Sequence, residues 1–221
     1  MSKVTVIVVA AGEGRRFGSL KQFALLGGQT VLDHCLGKYE SHPEIDEIIL
    51  VLKEGKRGST YRKRYGKIAA VVAGGARRQD SVARGFERLN CRPADIVLVH
   101  DGVRPLIGRE IISRVIARAR ESGAAIPVVP VDDTLKETAG GTVVRTLERR
   151  SLQRSQTPQG FTRDVLRRGL QKAREEGYYG TDEAALVERT GHPVAVVAGD
   201  PRNIKITSPL DLRIAEAFLE D

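Results

Sequence analysis

The sequence predicts an α/β domain built on a mostly parallel, twisted sheet with helices on both faces. Three observations carry that prediction. Short β-branched runs alternate with segments of helical period, the rhythm of a doubly wound sheet. The runs are apolar throughout, as strands covered on both faces require. Loops bearing glycine and charge follow several of the runs, at the strand ends where open α/β sheets bind ligands. At 221 residues, residues 1–221 suffice for one such domain with a full core and fall short of two.

The first strand is Val4 to Ala10. Its apolar stretch breaks at Gly12, far short of the roughly 20 residues a membrane helix needs, and no leader-type cleavage site follows. Ile45 to Leu52, Ile68 to Ala73, Ile96 to His100 and Ala124 to Val131 read as further strands. Thr30 to Glu40, Arg78 to Leu89 and Arg109 to Ser122 read as the intervening helices. In the last of these, Ile111, Ile112, Val115, Ile116 and Ala119 form one apolar face at helical spacing. Right-handed crossovers then place the C-terminal ends of the strands on one edge.

From Asp133 to Gln153 polar and apolar residues alternate around Ala139-Gly140-Gly141, the pattern of a protruding β-hairpin arm. The arm has too few apolar residues to bury both faces on its own domain. It packs on a second subunit or forms a solvated flap, and the first is preferred. Beyond it, Arg163 to Glu175 and Asp182 to Arg189 are expected helices, and Val194 to Ala198 and Asn203 to Ile206 expected strands. Pro209 suits the first turn of a last helix, with Thr207 or Ser208 as its cap.

Composition narrows the function. The net charge of +8 fits nucleic acid or small polyanions such as triphosphates as partners. A nucleic-acid module is disfavoured, because no basic helix is interleaved with aromatics, which make up 5% of the chain. Cys35 and Cys91 are far apart and belong to no metal-ligand spacing, which suits a reducing cytoplasm.

Four segments carry the chemistry. The first, Ala10-Ala11-Gly12-Glu13-Gly14-Arg15-Arg16-Phe17-Gly18 with Lys21-Gln22-Phe23, follows the first strand. Small residues there let backbone N–H groups approach phosphate oxygens, while Arg15, Arg16 and Lys21 add full charges. It is neither G-x-x-x-x-G-K-[ST] nor G-x-G-x-x-G. The second, Gly74-Gly75-Ala76-Arg77-Arg78-Gln79-Asp80-Ser81, permits close approach to a base edge, with Ser81 as a hydrogen-bonding group. The third, His100-Asp101-Gly102-Val103-Arg104, puts an aspartate at the sheet edge to meet ribose hydroxyls or orient Mg²⁺ through water. His100 is read as a hydrogen-bonded core residue. Arg104 either ion-pairs within its loop or reaches an acceptor phosphate. The fourth group is scattered: Thr134, Arg149, Thr157-Pro158-Gln159 and Asn203-Ile204-Lys205.

Taken in order, AAGEGRRF with KQF, GGARRQDSV, HDGVRP, VDDTLK, TPQGF, TDEA and NIKIT resemble the 2-C-methyl-D-erythritol 4-phosphate cytidylyltransferase family from Val4 to about Leu219. The resemblance implies a Rossmann-like nucleotidyltransferase fold, a homodimer with an exchanged β-arm, and CTP and a sugar- or polyol-phosphate as substrates. It also implies roles. Arg16 and Lys21 stabilise the transition state at the CTP α-phosphate, joined in the catalytic set by Arg149 and Lys205. Ala10, Ala11, Gly12, Gly14, Gly75 and Ser81 shape the nucleotide pocket, and Asp101 faces the ribose and metal. Thr134 and Arg149 reach the partner's acceptor site, and Thr157 and Lys205 hold methylerythritol phosphate. Two departures stand out: Ala76 occupies a place often acidic in the family, and Gly102-Val103 stands where Ala-Ala is usual. A sister enzyme acting on ribitol or ribulose 5-phosphate is the nearest alternative.

The chemistry agrees with the residue inventory. A phosphate monoester is mostly dianionic near neutrality, so the reaction needs no strong general base. It needs alignment and charge neutralisation, with Mg²⁺ or a similar divalent cation on the phosphates.

Overall fold

The apolar runs become strands because branched side chains at alternate positions feed two separate cores. In a computed structural model describing residues 2–14, 16–53 and 57–220, the first strand is β1 (Val4–Ala10). After it come β2 (Leu25–Leu26), β3 (Gln29–Thr30), α1 (Val31–Glu40), β4 (Glu47–Leu52), α2 (Arg57–Arg64), β5 (Ile68–Ala73), α3 (Arg78–Phe86) and β6 (Ile96–Asp101). Next come α4 (Arg109–Ser122), β7 (Ala124–Pro130), β8 (Lys136–Ala139), β9 (Thr142–Thr146), β10 (Gln153–Ser155) and β11 (Gln159–Thr162). The chain ends with α5 (Arg163–Glu175), α6 (Glu183–Glu188), β12 (Ala195–Ala198) and α7 (Pro209–Glu220).

Along β1, Val4, Val6 and Val8 pack with Leu32, Leu36 and Tyr39 of α1 and Ile112 and Val115 of α4. Ile7, on the opposite face, packs with Val82 of α3 and Val165 and Leu166 of α5. Two buried layers therefore sandwich the sheet, and each fully buried Val or Ile contributes about 1.5–3 kcal/mol. Helix ends are set locally. Asp33 N donates to Thr30 Oγ1 at 3.1 Å at the start of α1, and Gly123 stops α4 with φ +80°.

The sheet runs β10-β7-β11-β6-β1-β4-β5, with β12 also on β7. β1 pairs in parallel with β4 and β6, β4 with β5, and β12 with β7. The order corrects the sequence reading in one respect: β10 and β11 run antiparallel beside β7, and β11 separates β7 from β6. Gln-Arg-Ser and Gln-Gly-Phe-Thr carry no β-branched run, so periodicity misses both. Helix α2 is missed for a similar reason, since Tyr61 is its only large apolar residue. The strand expected at Asn203 to Ile206 is irregular instead. It is held by single bonds such as Ile206 N to Val103 O at 2.9 Å rather than by a ladder. The expected α3 end at Leu89 gives way to a turn after Phe86, where Leu89 N donates to Phe86 O. Ser208 caps α7, with Asp211 accepting from the Thr207 and Ser208 N–H groups at 2.8 and 2.7 Å.

The arm forms as a hairpin of β8 and β9 around Gly140-Gly141. Its strands are exposed along their whole length. No helix among the described residues is long and apolar enough to cross a membrane.

Candidate active site

The neighbouring parallel strands β6, β1, β4 and β5 end on one edge of the sheet, and the loops after β1, β5 and β6 enclose a cleft of about 710 Å³. Its floor is the end of β1. Ala10, Ala11, Gly12, Gly14, Arg16 and Lys21 line it from the first loop, Gly75 and Ser81 from the second, Asp101 from the end of β6, and Lys205 from the irregular segment before α7. Sequence positions nearly two hundred residues apart thus share one site. Arg15 lies outside the described residues.

Each loop is locked by internal hydrogen bonds. Gln22, 1% exposed, donates from Nε2 to Ala10 O at 3.0 Å and to Gly12 O at 3.2 Å. Gly14 turns the chain with φ +67°, and a Cβ there would lie 1.8 Å from Ser19 O, so only glycine fits. In the second loop, Gly75 N donates to Ser81 Oγ at 3.0 Å, and Ser81 Oγ donates to Arg77 O at 3.1 Å.

Asp101 is the electrostatic hub. Its Oδ1 accepts from Arg78 Nε at 2.9 Å, and its Oδ2 meets Lys205 Nζ at 2.8 Å and Arg104 Nε at 3.7 Å. Burial opposes its ionisation, but Arg78, Lys205 and Arg104 outweigh burial and hold the carboxyl far below the usual carboxylate range. Beneath it, Asp101 N donates to Thr157 Oγ1 at 3.1 Å, and Thr157 Oγ1 lies 3.1 Å from His100 Nδ1. His100 is fully buried against Tyr39 at 5.1 Å, and burial lowers its pKa to about 3.

Cations dominate the walls. Arg16, Lys21, Lys53, Arg77, Arg78, Arg84 and Lys205 line the cleft against the carboxylates of Glu13 and Asp101. Burial lowers the pKa of Lys21, and the positive charges of Lys205 and Arg16 push it the same way. Like charges held this close are costly unless a polyanion arrives between them.

Other expected site residues lie elsewhere in the single chain. Thr157 is 4% exposed and supports Asp101 from below rather than lining the cleft. Arg104 takes the loop-holding place, donating from Nη1 to Asn203 O at 2.7 Å as well as pairing with Asp101. Thr134 and Arg149 are exposed at the base of the arm, outside the cleft, where Arg149 bonds Asp132 O.

Residues 4–221 match the family described as "IspD: 2-C-methyl-D-erythritol 4-phosphate cytidylyltransferase". The chain belongs to that family. It is 47% identical over 226 residues to the 2-C-methyl-D-erythritol 4-phosphate cytidylyltransferase of Syntrophus aciditrophicus (strain SB), covering 99% of this chain and 96% of the relative. Its fold superimposes on the crystal structure of the 2-C-methyl-D-erythritol 4-phosphate cytidylyltransferase from Thermus thermophilus with a TM-score of 0.81, at 38% identity and full coverage of both chains. For the 4-diphosphocytidyl-2C-methyl-D-erythritol synthase of Anaerococcus prevotii DSM 20548 the TM-score is 0.87, at 31% identity over 100% of this chain and 97% of that one. The fold is therefore the Rossmann-like nucleotidyltransferase one.

Against this cytidylyltransferase frame, two connections escape the sequence. Arg78 bridges Asp101 to Glu183, which is 1% exposed on α6 and accepts from Arg78 Nη1 at 2.7 and 2.9 Å. Burial pushes the Glu183 carboxyl up against the pull of Arg78. Both residues stand within quoted motifs, yet a part-buried ion pair between residues 105 apart leaves no trace in local spacing.

Proposed function

We propose that the chain transfers CMP from CTP to 2-C-methyl-D-erythritol 4-phosphate, giving 4-diphosphocytidyl-2-C-methyl-D-erythritol and pyrophosphate in non-mevalonate isoprenoid biosynthesis. The observation that carries the mechanism is the convergence of Lys21, Arg16 and Lys205 at one strand edge, where burial and the nearby charges of Lys205 and Arg16 lower the Lys21 pKa. Two anionic reactants repel each other, and fixed positive groups between them remove that barrier. Lys21 and Arg16 meet the charge that develops on the α-phosphate oxygens. Backbone around Gly12, Gly14 and Gly75, with Ser81, holds the nucleotide so that the acceptor phosphate attacks in line.

Lys205 is the cation placed to grip the acceptor phosphate. It sits on the Asp101 side of the cleft, and its side chain is 38% exposed. The acceptor is already a dianion, so no residue need remove a proton from it.

A divalent cation fits this site as a companion of the triphosphate. Among the described residues no three His, Cys, Asp or Glu side chains gather to hold a metal. Asp101 alone offers a buried carboxylate at the cleft. One carboxylate plus phosphate oxygens and water is a normal Mg²⁺ environment. When bound, the ion neutralises phosphate charge.

The arm completes the assembly as a homodimer contact. A two-stranded hairpin is marginally stable alone, and Val143 and Val144 are 55% and 59% exposed on it. Arm exchange brings Thr134 and Arg149 to the acceptor side of the partner's cleft. The unpaired Cys35 and Cys91 suit a reducing cytoplasm.

The direct test is pyrophosphate release from CTP and Mg²⁺ with methylerythritol phosphate, ribitol 5-phosphate or ribulose 5-phosphate offered separately. Methylerythritol phosphate is expected to give the highest kcat/KM. Faster turnover of a pentose or pentitol phosphate would reassign the acceptor.

A further inference from the structure

We infer that Glu183 is a positioning residue for the nucleotide half of the site, holding Asp101 in its working orientation through Arg78. The inference rests on the cytidylyl-transfer reading and deepens it.

The chain of contacts is continuous and directional. Both Glu183 carboxylate oxygens accept from Arg78 Nη1, at 2.7 and 2.9 Å, and Arg78 Nε donates to Asp101 Oδ1 at 2.9 Å. Arg78 Nη2 is buried without a partner, so the guanidinium is held through Nε and Nη1, by one carboxylate on each. Arg78 and Asp101 line the cleft, whereas Glu183 does not. Glu183 can therefore reach a bound nucleotide only through Arg78.

Glu183 is itself fixed from the far side. Asp182 accepts from Ala185 N at 3.0 Å and caps α6. Gln159, fully buried on β11, donates to Asp182 Oδ2 at 2.7 Å and accepts from Ala184 N at 3.0 Å. The line of support runs from the sheet through the start of α6 to Glu183, Arg78 and Asp101.

Burying a carboxylate is expensive, and a buried ion pair is a poor source of net stability. What this pair supplies is geometry. With Oδ1 occupied by Arg78, Asp101 keeps Oδ2 for Lys205 at 2.8 Å. Without the Glu183 anchor, Arg78 keeps Asp101 as its counter-ion but loses the bonds that fix it from the other side, and is free to swing on Asp101. Arg104, now 3.7 Å from Oδ2, can then draw the carboxylate away from the cleft.

The test is a double-mutant cycle on CTP binding, measured by calorimetry with Mg²⁺ and no acceptor. Glu183→Gln, nearly isosteric, is expected to weaken CTP binding on the order of tenfold, the range for a lost charge-assisted hydrogen bond. Asp101→Asn is expected to weaken it at least as much, and the double variant should match Asp101→Asn alone. Additive losses, or unchanged binding by Glu183→Gln, overturn the inference. Arg78→Lys, which keeps the charge and loses the fork, should be non-additive with Asp101→Asn in the same way, and it serves if Glu183→Gln does not fold. Tyr65→Phe is the structural control. It removes the buried bond from Tyr65 Oη to Asp33 Oδ1 at 2.9 Å, between residues that do not line the cleft. It should lower Tm while leaving CTP affinity unchanged, and equal weakening by both variants assigns Glu183 a merely structural role. An unsubstituted protein that consumes no CTP with methylerythritol phosphate rejects the transfer reading. Turnover by that protein together with normal CTP binding by Glu183→Gln rejects the inference alone.

Discussion

Lys205 Nζ lies 2.8 Å from Asp101 Oδ2, yet the two side chains differ in exposure, 38% against 7%. The carboxylate is anchored from behind by Arg78, so the lysine is the member able to move. An acceptor phosphate entering the cleft offers Lys205 a dianion in place of a carboxylate that already has other cations. Lys205→Ala is therefore expected to raise the acceptor KM about tenfold or more while CTP affinity changes little. Initial rates at varied acceptor and saturating CTP separate the two constants. An unchanged acceptor KM would remove Lys205 from the phosphate grip.

Lys21 should behave differently, because its contact strengthens as charge builds on the α-phosphate. Lys21→Ala is expected to lose about 10²–10³ in kcat with a smaller change in CTP KM. Its pH signature is also distinctive. Burial, Lys205 and Arg16 lower its pKa from the ordinary 10.5, so the free enzyme loses the Lys21 charge as pH rises through a value below the usual lysine range. Bound triphosphate restores the charge. The alkaline limb should therefore appear in kcat/KM for CTP more than in kcat, and Lys21→Arg should move it to higher pH. Near-normal kcat in Lys21→Ala would refute the assignment.

If the arm crosses between subunits, Arg149 serves the partner's cleft. Arg149→Ala should then raise the acceptor KM, as should Thr134→Ala to a lesser degree. Mixing the Arg149→Ala and Lys21→Ala proteins under exchanging conditions should restore about a quarter of the original activity, since half the dimers are mixed and each has one intact site. Arg149 acting within its own chain predicts no recovery. Sedimentation should show a dimer throughout.

The first loop depends on a single backbone conformation. A Cβ at Gly14 meets Ser19 O at 1.8 Å with φ at +67°. Gly14→Ala is expected to cost about 1–3 kcal/mol locally, and the loop should relieve the strain by opening. CTP KM should then rise without a comparable fall in Tm, because the loop carries little of the core. A full loss of folding would mean that the loop is structural rather than a phosphate cradle.

These expectations draw unequally on the sequence. Val4 to Ala10 and the α4 stripe from Ile111 to Ala119 were legible because burial on a regular element imposes a period. Gly12, Lys21 and Ser81 were legible because phosphate chemistry concentrates glycine and charge in short loops after strands. Strands β10 and β11 were not, because neighbouring strands supply their hydrogen bonds, β7 for β10 and both β6 and β7 for β11, and their own residues need not be branched. Glu183 was hidden for a deeper reason: its partner comes from a helix 105 residues away in the sequence, and a carboxylate at a helix start usually faces water. Thr157 was noticed, but its place beneath Asp101, bonded to His100, depends on a turn that no spacing rule describes.

His100 and Asp101 together set the response to acid. His100 is fully buried and its pKa falls from 6.5 to about 3, so the folded protein resists a proton that the unfolded chain accepts. The stability this provides is complete above about pH 6.5 and is lost as pH falls toward 3, on the order of a few kcal/mol. Asp101, held below its ordinary 3.8, adds a further loss below that value with the same sign. Glu183, raised by burial above its ordinary 4.5, acts oppositely at pH values above 4.5 and flattens that part of the curve. Urea unfolding at intervals from pH 7.5 to 4 should show stability falling with pH. His100→Gln should start lower, because it disturbs the packing on Tyr39 and the bond to Thr157, but its curve should be flatter between pH 6.5 and 4.5. Equal slopes for the two proteins would mean that His100 is protonated inside the fold, and that its contact with Thr157 is made by a cation.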